Sequence, residues 1–316
     1  MPINVSIVPN LPSSGKNPVL YEYTASGTWT KPSDPTFYGL IVFCAGAGGG
    51  GGSGRRGASS TLRTGGSAGG GASMVHSFIP AASLNNTHSI TIGSGGAGGL
   101  AQTSDSTNGN NGLNGGNTIF ENFVTAGGGG SGSGGNSTLQ PALGEFGTPS
   151  PSASAYSRYG TYGNTTSTST GAGGAGTTYG TALDSQGGVG GGGGTTIRSN
   201  NSVTGAPGAG GSIISGSTTI AVTAVNTAGA DSNSATNHII PSVMFNILPT
   251  NNLLFGGGGA GSKCGDAAGT IAAGKAGNGG NCSGGGGGGA STNGANSGAG
   301  GSGGNGVCAV LELYGA

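Results

Sequence analysis

Residues Leu40–Gly54 read LIVFCAGAGGGGGSG. The first five form a continuous apolar run of the kind found in a strand buried on both faces. The rest offers almost no side chain. Similar bursts follow at Ala126–Gly135 (AGGGGSGSGG) and Gly284–Ala290 (GGGGGGA), and glycine supplies 79 of the 316 residues. Glycine loses more backbone freedom on ordering than any other residue, roughly 0.5–1 kcal/mol relative to alanine within a regular element. Such bursts are either flexible linkers or backbones packed so closely that only hydrogen fits at Cα.

Composition favours packing. Disordered chains stay soluble through high net charge, whereas Lys+Arg and Asp+Glu cancel at 9 each and only 6% of residues are charged. Collagen is excluded, because the glycines keep no strict three-residue register along the chain and 13 prolines are too few. A left-handed three-fold helix points its N–H and C=O groups outward. Stacked side by side, such helices satisfy one another's backbones, provided no Cβ holds them apart. Further glycine-rich stretches at Gly65–Ala72, Gly93–Gly99, Gly171–Gly176, Gly187–Gly194, Gly205–Gly211, Gly256–Gly261 and Gly298–Gly306 have similar lengths. Each spans roughly 20–30 Å at about 3.1 Å per residue, one crossing of a common body.

The conventional elements are strands. Val19–Thr24, Thr28–Lys31, Leu40–Cys44, Met74–Ile79, Ser89–Ile92, Thr118–Val124 and Val307–Tyr314 carry alternating or continuous apolar patterns. No window supports an amphipathic helix; the apolar Ile239–Phe255 is broken by Pro241 and Pro249. The expected fold is mainly β and irregular, with little or no α-helix. Strands from the N- and C-terminal regions combine with a bundle of packed polyglycine II helices joined by variable loops. Residues 19–316 form one domain, 1–18 read as an attachment arm, and the variable loops fall within about 137–170 and 212–255.

Little here points to enzyme chemistry. Gly269–Lys275 (GTIAAGK) matches a phosphate loop until Ala276 stands where Ser or Thr is required, and no strand–helix context surrounds it. Two GxSxG strings, around Ser67 and Ser302, lack the setting of a nucleophile elbow. His76, His88 and His238 have no metal-ligand spacing, and the acids are scattered singly. No catalytic residue, metal or cofactor is expected. Zero net charge argues against nucleic acid, with Arg55, Arg56 and Arg63 read as decorating a loop. No apolar run is long enough for a membrane span, and the N-terminus lacks a signal-peptide pattern. Cys44 and Cys308 sit in strands as buried thiols. Cys264 and Cys282 flank one loop and could close a disulfide if the mature protein is extracellular, a pairing the residues alone leave open.

The positive signal lies between the bursts. Tyr156, Arg158, Tyr159 and Tyr162 crowd one segment, with Tyr179 further on. Tyrosine-, serine- and glycine-rich loops are the composition of protein paratopes. These residues either contact a receptor or cover exposed edges of the scaffold. The apolar residues of 212–255 form a second contact surface or a small satellite core.

Thr24–Pro32 (TASGTWTKP), the strand Leu40–Cys44, the burst Gly46–Gly54, then Phe78–Pro80, Ser89–Gly99 and the closing Gly303–Tyr314 form a series. It resembles the glycine-rich domain of tailed-phage tail fibres and tail-tip adhesins, over roughly Tyr21–Tyr314. The resemblance implies a body of strands and stacked polyglycine helices, variable loops that contact the host, and a non-enzymatic role in adsorption. It also implies assembly in the host cytoplasm into a virion, with other tail or fibre proteins and a host surface protein or glycan as partners. A homotrimer, or a single copy on a trimeric fibre tip, fits that setting. The chain departs from adhesins of the T-even-like phages in having only Met1–Pro18 ahead of the glycine region, an arm on another virion protein or part of a self-associating fibre. The rival expectation is a purely structural virion component, with the receptor site on another chain.

Overall fold

The computed structural model describes residues 16–138, 142, 144–148, 155–158, 163–165, 172–176, 188–203, 205–215, 218–228, 230–235, 237–239 and 254–315. The strands are β1 (Val19–Tyr23), β2 (Gly27–Thr30), β3 (Phe37–Ala45), β4 (Arg56–Gly57), β5 (Met74–Pro80), β6 (Thr87–Thr91), β7 (Thr118–Phe120) and β8 (Val124–Ala126). They continue with β9 (Ala155–Arg158), β10 (Gly210–Ser215), β11 (Thr218–Val222), β12 (Asn237–Ile239), β13 (Leu254–Gly256), β14 (Ser291–Thr292) and β15 (Val307–Tyr314). Among the described residues the only helical element is the 3-10 turn Ala81–Ser83.

A five-stranded sheet in the order β1-β15-β3-β5-β9 packs on a four-stranded sheet, β2-β6-β7-β8. The apolar alternation read from sequence places Leu40, Val42, Cys44, Val75, Cys308 and Val310 on the inner face of the first sheet. Trp29, Ile90, Phe120 and Val124 meet them from the second. Trp29 is buried, lies over the His88 ring with centroids 5.9 Å apart, and donates to Glu312 Oε1 at 3.0 Å. The buried carboxylate of Glu312 is thus met by the one indole N–H the sequence contains, as burial of a charged group requires. The outer face of β3 and β15 is buried too, through Phe43, Ala45, Val307 and Ala309, which is why both strands read as unbroken apolar runs.

The glycine runs extend these strands. β3 passes directly into run 46–56, and its hydrogen bonds then turn through three directions. Gly49 donates to Gly70 O, Gly50 to Leu113 O and Gly51 to Gly301 O, each at 2.9 Å. Gly48, Gly49 and Gly50 accept from Gly96, Gly285 and Gly132. A three-residue cycle of donors to three neighbouring runs, and of acceptors from three others, is the signature of a polyglycine II helix packed on all sides. A Cβ built on Gly49, Gly50 or Gly51 would lie 2.0–2.1 Å from a neighbour's carbonyl oxygen. Glycine is therefore a packing requirement at these positions.

Register survives the change of structure. Ala45 opposes Val307 in the sheet, and three residues on Gly48 donates to Gly304. Ala45 likewise opposes Met74, and Gly49 donates to Gly70. The two conformations advance by nearly the same amount per residue, about 3.1 against about 3.3 Å, so paired chains cross the boundary together. Where a run carries serine or threonine, the hydroxyl fills the lattice's needs. Ser67 Oγ accepts from Ser133 N–H at 2.8 Å and Ser73 Oγ from Gly127 N–H at 2.7 Å.

Several sequence expectations change. Thr118–Val124 is two strands, β7 and β8, separated by a turn at Glu121–Phe123 in which Glu121 has φ 41°. Segment 212–255, read as a variable loop, includes most of the β10–β11 hairpin and most of the β12–β13 pair. All four cysteines are free and buried. Cys264 packs with Ile197 and Ala290, whereas Cys282 packs with Phe43 and Ala72. Run 282–290 separates the two thiols by about 25 Å, at about 3.1 Å per residue, so the Cys264–Cys282 bond is not made. Of the expected arm 1–18, residues 1–15 lie outside the described residues.

At the sandwich end, Lys16 Nζ is 2.8 Å from Asp34 Oδ2 and 3.8 Å from the Tyr314 ring centroid. Thr36 N–H and Oγ1–H donate to Asp34 Oδ1 at 2.9 and 2.6 Å. The ammonium first, then the Thr36 hydrogen bonds, hold the Asp34 carboxyl at about 2. The unfolded chain, with an ordinary carboxyl near 3.8, takes up its proton sooner as pH falls. Thermal stability from this group is therefore present above about pH 4 and is lost towards pH 2. Asp34→Asn should flatten the melting-temperature profile over that interval, and an unchanged slope would refute the assignment.

Candidate functional site

The body has two unlike ends. Lys16 and Gly315, the last described residues on either side, both lie at the sandwich end, where Gly315 N–H donates to Thr36 O at 2.6 Å. At the opposite end the runs are closed by loops at 57–63, 101–106, 198–203, 266–272 and 292–296.

These loops are tied together from beneath. Arg63 is fully buried. Its Nη1 donates to Thr292 Oγ1 at 3.0 Å, and its Nη2 to Asn201 Oδ1 at 2.7 Å and Arg198 O at 3.2 Å. Asn201 Oδ1 also accepts from Ser60 N–H at 2.9 Å. Arg56 donates through Nε to Asp105 Oδ1 at 2.7 Å, and through Nη1 to Thr103 O at 2.7 Å and Asn296 Oδ1 at 3.0 Å. Thr292 Oγ1 donates to Asp266 O at 3.0 Å, joining the remaining loop. Asn293 and Asp105 stitch 101–106 to 292–296 through Ser106 N–H and Gly294 N–H. Above this knot Ser59, Ser60, Thr61, Asn200 and Ile271 are exposed.

Arg56 and Arg63 therefore do not decorate a loop, as expected from sequence; they are the loop cluster's internal framework, and only Arg55 keeps a half-exposed surface. Burial pulls the Arg63 and Arg55 guanidiniums below their ordinary range. Asp105 is held below the usual carboxylate range by Gly294 N–H and then by Arg56. The GTIAAGK string forms part of this end. Burial raises the Asp266 carboxyl, but hydrogen bonds from Thr270 and Ile271 outweigh it and leave it lowered. The N–H groups of Thr270 and Ile271, each 2.8 Å from Asp266 Oδ1, are thereby occupied by the protein's own carboxylate.

Of the tyrosine cluster, Tyr156 and Arg158 have their backbones in β9, opposite His76 and Met74 at the edge of the larger sheet. Tyr159, Tyr162 and Tyr179 lie outside the described residues. β9 belongs to the sandwich end, away from the loop knot. His88 is buried, with Nδ1 against the Glu121 carboxylate. Among the described residues no group of three or more His, Cys, Asp or Glu comes together to hold a metal.

A second surface feature escaped the sequence reading. Asn111, Asn114 and Asn117 recur every three residues along run 107–117, and their Oδ1 atoms accept from Gly134, Ser131 and Gly128 N–H at 2.8, 2.8 and 3.0 Å. Gly109, Gly112 and Gly115 take the alternate register, facing carbonyls of run 46–56 within 2.2 Å of a built Cβ. The signal was the local NGNNGLNGGN period, hidden by the lack of a chain-wide one. The amides cap donors that a lattice edge otherwise offers to another chain, the hazard of any open edge. Asn111→Ala/Asn114→Ala/Asn117→Ala should self-associate, sedimenting faster than the parent chain at equal concentration; identical sedimentation would contradict the capping role.

None of the curated proteins compared with this chain matches it. The model of the family described as the glycine-rich domain does match, over residues 23–311, from the last residue of β1 into β15. A chain covered almost from end to end, with that lattice at its centre, belongs to the glycine-rich domain family.

Proposed function

We propose that this chain is a non-enzymatic phage tail-fibre or tail-tip protein that binds a host surface protein or glycan. The observation that carries the reading is polarity: Lys16 and Gly315 lie together at the sandwich end, while the pinned loop cluster closes the other. A rigid scaffold displaying loops at the end remote from its tether is a common arrangement for recognition. The sequence resemblance to phage adhesins supplies the virion setting, with other tail proteins at the sandwich end. The loops at 57–63, 198–203 and 266–272 are the first contact surface, and the tyrosine segment 137–170 the second.

Adsorption tests this directly. Exchanging the distal loops for glycine–serine linkers of equal length should abolish binding of the purified chain to host cells and to extracted surface glycan. Exchanging 137–170 for a relative's segment should change host range. A folded chain that binds neither cells nor glycan in any form would favour a purely structural virion role.

A further inference from the structure

Cys44 on β3 and Cys308 on β15 stand directly opposite each other, although 264 residues separate them in sequence. Both are fully buried, and their sulfurs lie 3.6 Å apart. Opposed residues of an antiparallel pair have Cα atoms about 4.5–5.5 Å apart, inside the roughly 4.4–6.8 Å range of disulfides. Bond formation needs the sulfurs to approach by about 1.5 Å. Cys264 and Cys282 sit in separate apolar clusters and offer neither thiol a rival partner.

We propose that Cys44 and Cys308 are a covalent modification site: in an oxidising medium they form an intramolecular disulfide that fastens β15 to β3. The strand β15 lies between β1 and β3, so the bond would secure the central ladder of the larger sheet. It would also close a loop comprising most of the chain, which restricts the unfolded state.

A small-molecule disulfide such as oxidised glutathione supplies the oxidising equivalents. One cysteine thiolate attacks it, giving a mixed disulfide and one glutathione thiolate. The second cysteine thiolate then attacks the protein sulfur of that mixed disulfide and expels the second glutathione. The two protons lost from the cysteines appear on the two glutathione thiols. Burial pushes the Cys44 thiol well up, so thiolate is scarce in the closed fold. Exchange therefore proceeds during folding, or when the end of β15 opens.

The test is refolding of the purified full chain from denaturant with oxidised and reduced glutathione, followed by intact-mass measurement and peptide mapping. The expected product has lost two hydrogens, yields a linked Cys44–Cys308 peptide, and leaves Cys264 and Cys282 open to alkylation after unfolding. Its melting temperature should exceed that of the reduced chain by roughly 5 °C. Cys264→Ser should leave the mass change intact, and Cys308→Ser should abolish it. A natively refolded chain with four free thiols, a stable glutathione adduct, a bond involving Cys264 or Cys282, or a lowered melting temperature would overturn the proposal. Mapping on the parent chain decides the question even if the Cys308→Ser variant does not fold.

Discussion

Gly51→Ala, a change of one methyl group, should leave little or no folded protein. Gly51 donates to Gly301 O at 2.9 Å and accepts from Gly99 N–H at 2.8 Å, so its position between neighbours is fixed. An added Cβ would stand 2.0 Å from Gly286 O and 2.6 Å from its carbonyl carbon. Run 282–291 cannot retreat, because it bonds to other runs through Gly284, Gly286, Gly287 and Gly288. Ordinary overpacking costs about 1–3 kcal/mol because side chains can adjust. Here both contacting groups are backbone, and the cost should exceed about 5 kcal/mol, comparable with the whole stability of many domains. Gly27→Ala is the matched control, since its Cβ would first meet the Tyr23 ring at 3.6 Å; it should change stability by less than about 0.5 kcal/mol. Soluble yield and thermal unfolding of both variants read the result, and a Gly51→Ala chain melting with its parent would refute the packing argument.

The second large effect is expected at Arg63. Truncation to alanine removes hydrogen bonds to Thr292, Asn201 and Arg198 and leaves a void beneath the loop cluster. A loss of about 3 kcal/mol is expected. Arg63→Met should behave differently. It refills the volume and removes a buried cation whose Nε has no hydrogen-bond partner, so stability should return to within about 1 kcal/mol of the parent. The loops would nevertheless lose their common anchor. Amide exchange at 57–62 and 198–203 should accelerate at least tenfold in both variants, while exchange in β3 and β15 stays unchanged in Arg63→Met. Unaltered loop exchange in Arg63→Met would show that the guanidinium does not pin them.

The strands were legible because their side chains alternate: Leu40–Cys44 and Val307–Tyr314 declare their burial in residue types. The packed helices were legible as a class, since a neutral chain with a quarter glycine has few other ways to fold. Their neighbours were not legible. A glycine states that something approaches closely without naming what approaches, and the partners of Gly49, Gly50 and Gly51 come from three distant stretches. Arg56 and Arg63 failed as a surface prediction for a related reason. Charged residues in a short polar segment ordinarily face water, but here the ends of several runs converge around them and supply oxygens from 103, 201, 292 and 296. Tyrosine content directed attention to segment 156–179, of which only the backbone of β9 and a few neighbouring stretches are described, whereas the loop cluster at the far end is built mainly from Ser, Asn, Thr and Asp, which no single stretch of sequence distinguishes.

The unbroken register between strand and polyglycine helix imposes a reading frame on mutation by insertion. One residue added after Gly50 would turn the remainder of that run by about 120°, placing Ser53 where Gly54 now stands, with a Cβ position 1.9 Å from Gly289 O. Three residues added there restore each face to its neighbour, whereas within β3 the corresponding quantum is two. A shift carried through both elements must therefore come in sixes. The distal loops obey no such arithmetic. Natural length variation in this chain should be quantised within the body and unrestricted at the loop end, a pattern that a set of related genes would display as gaps of three beside gaps of any size.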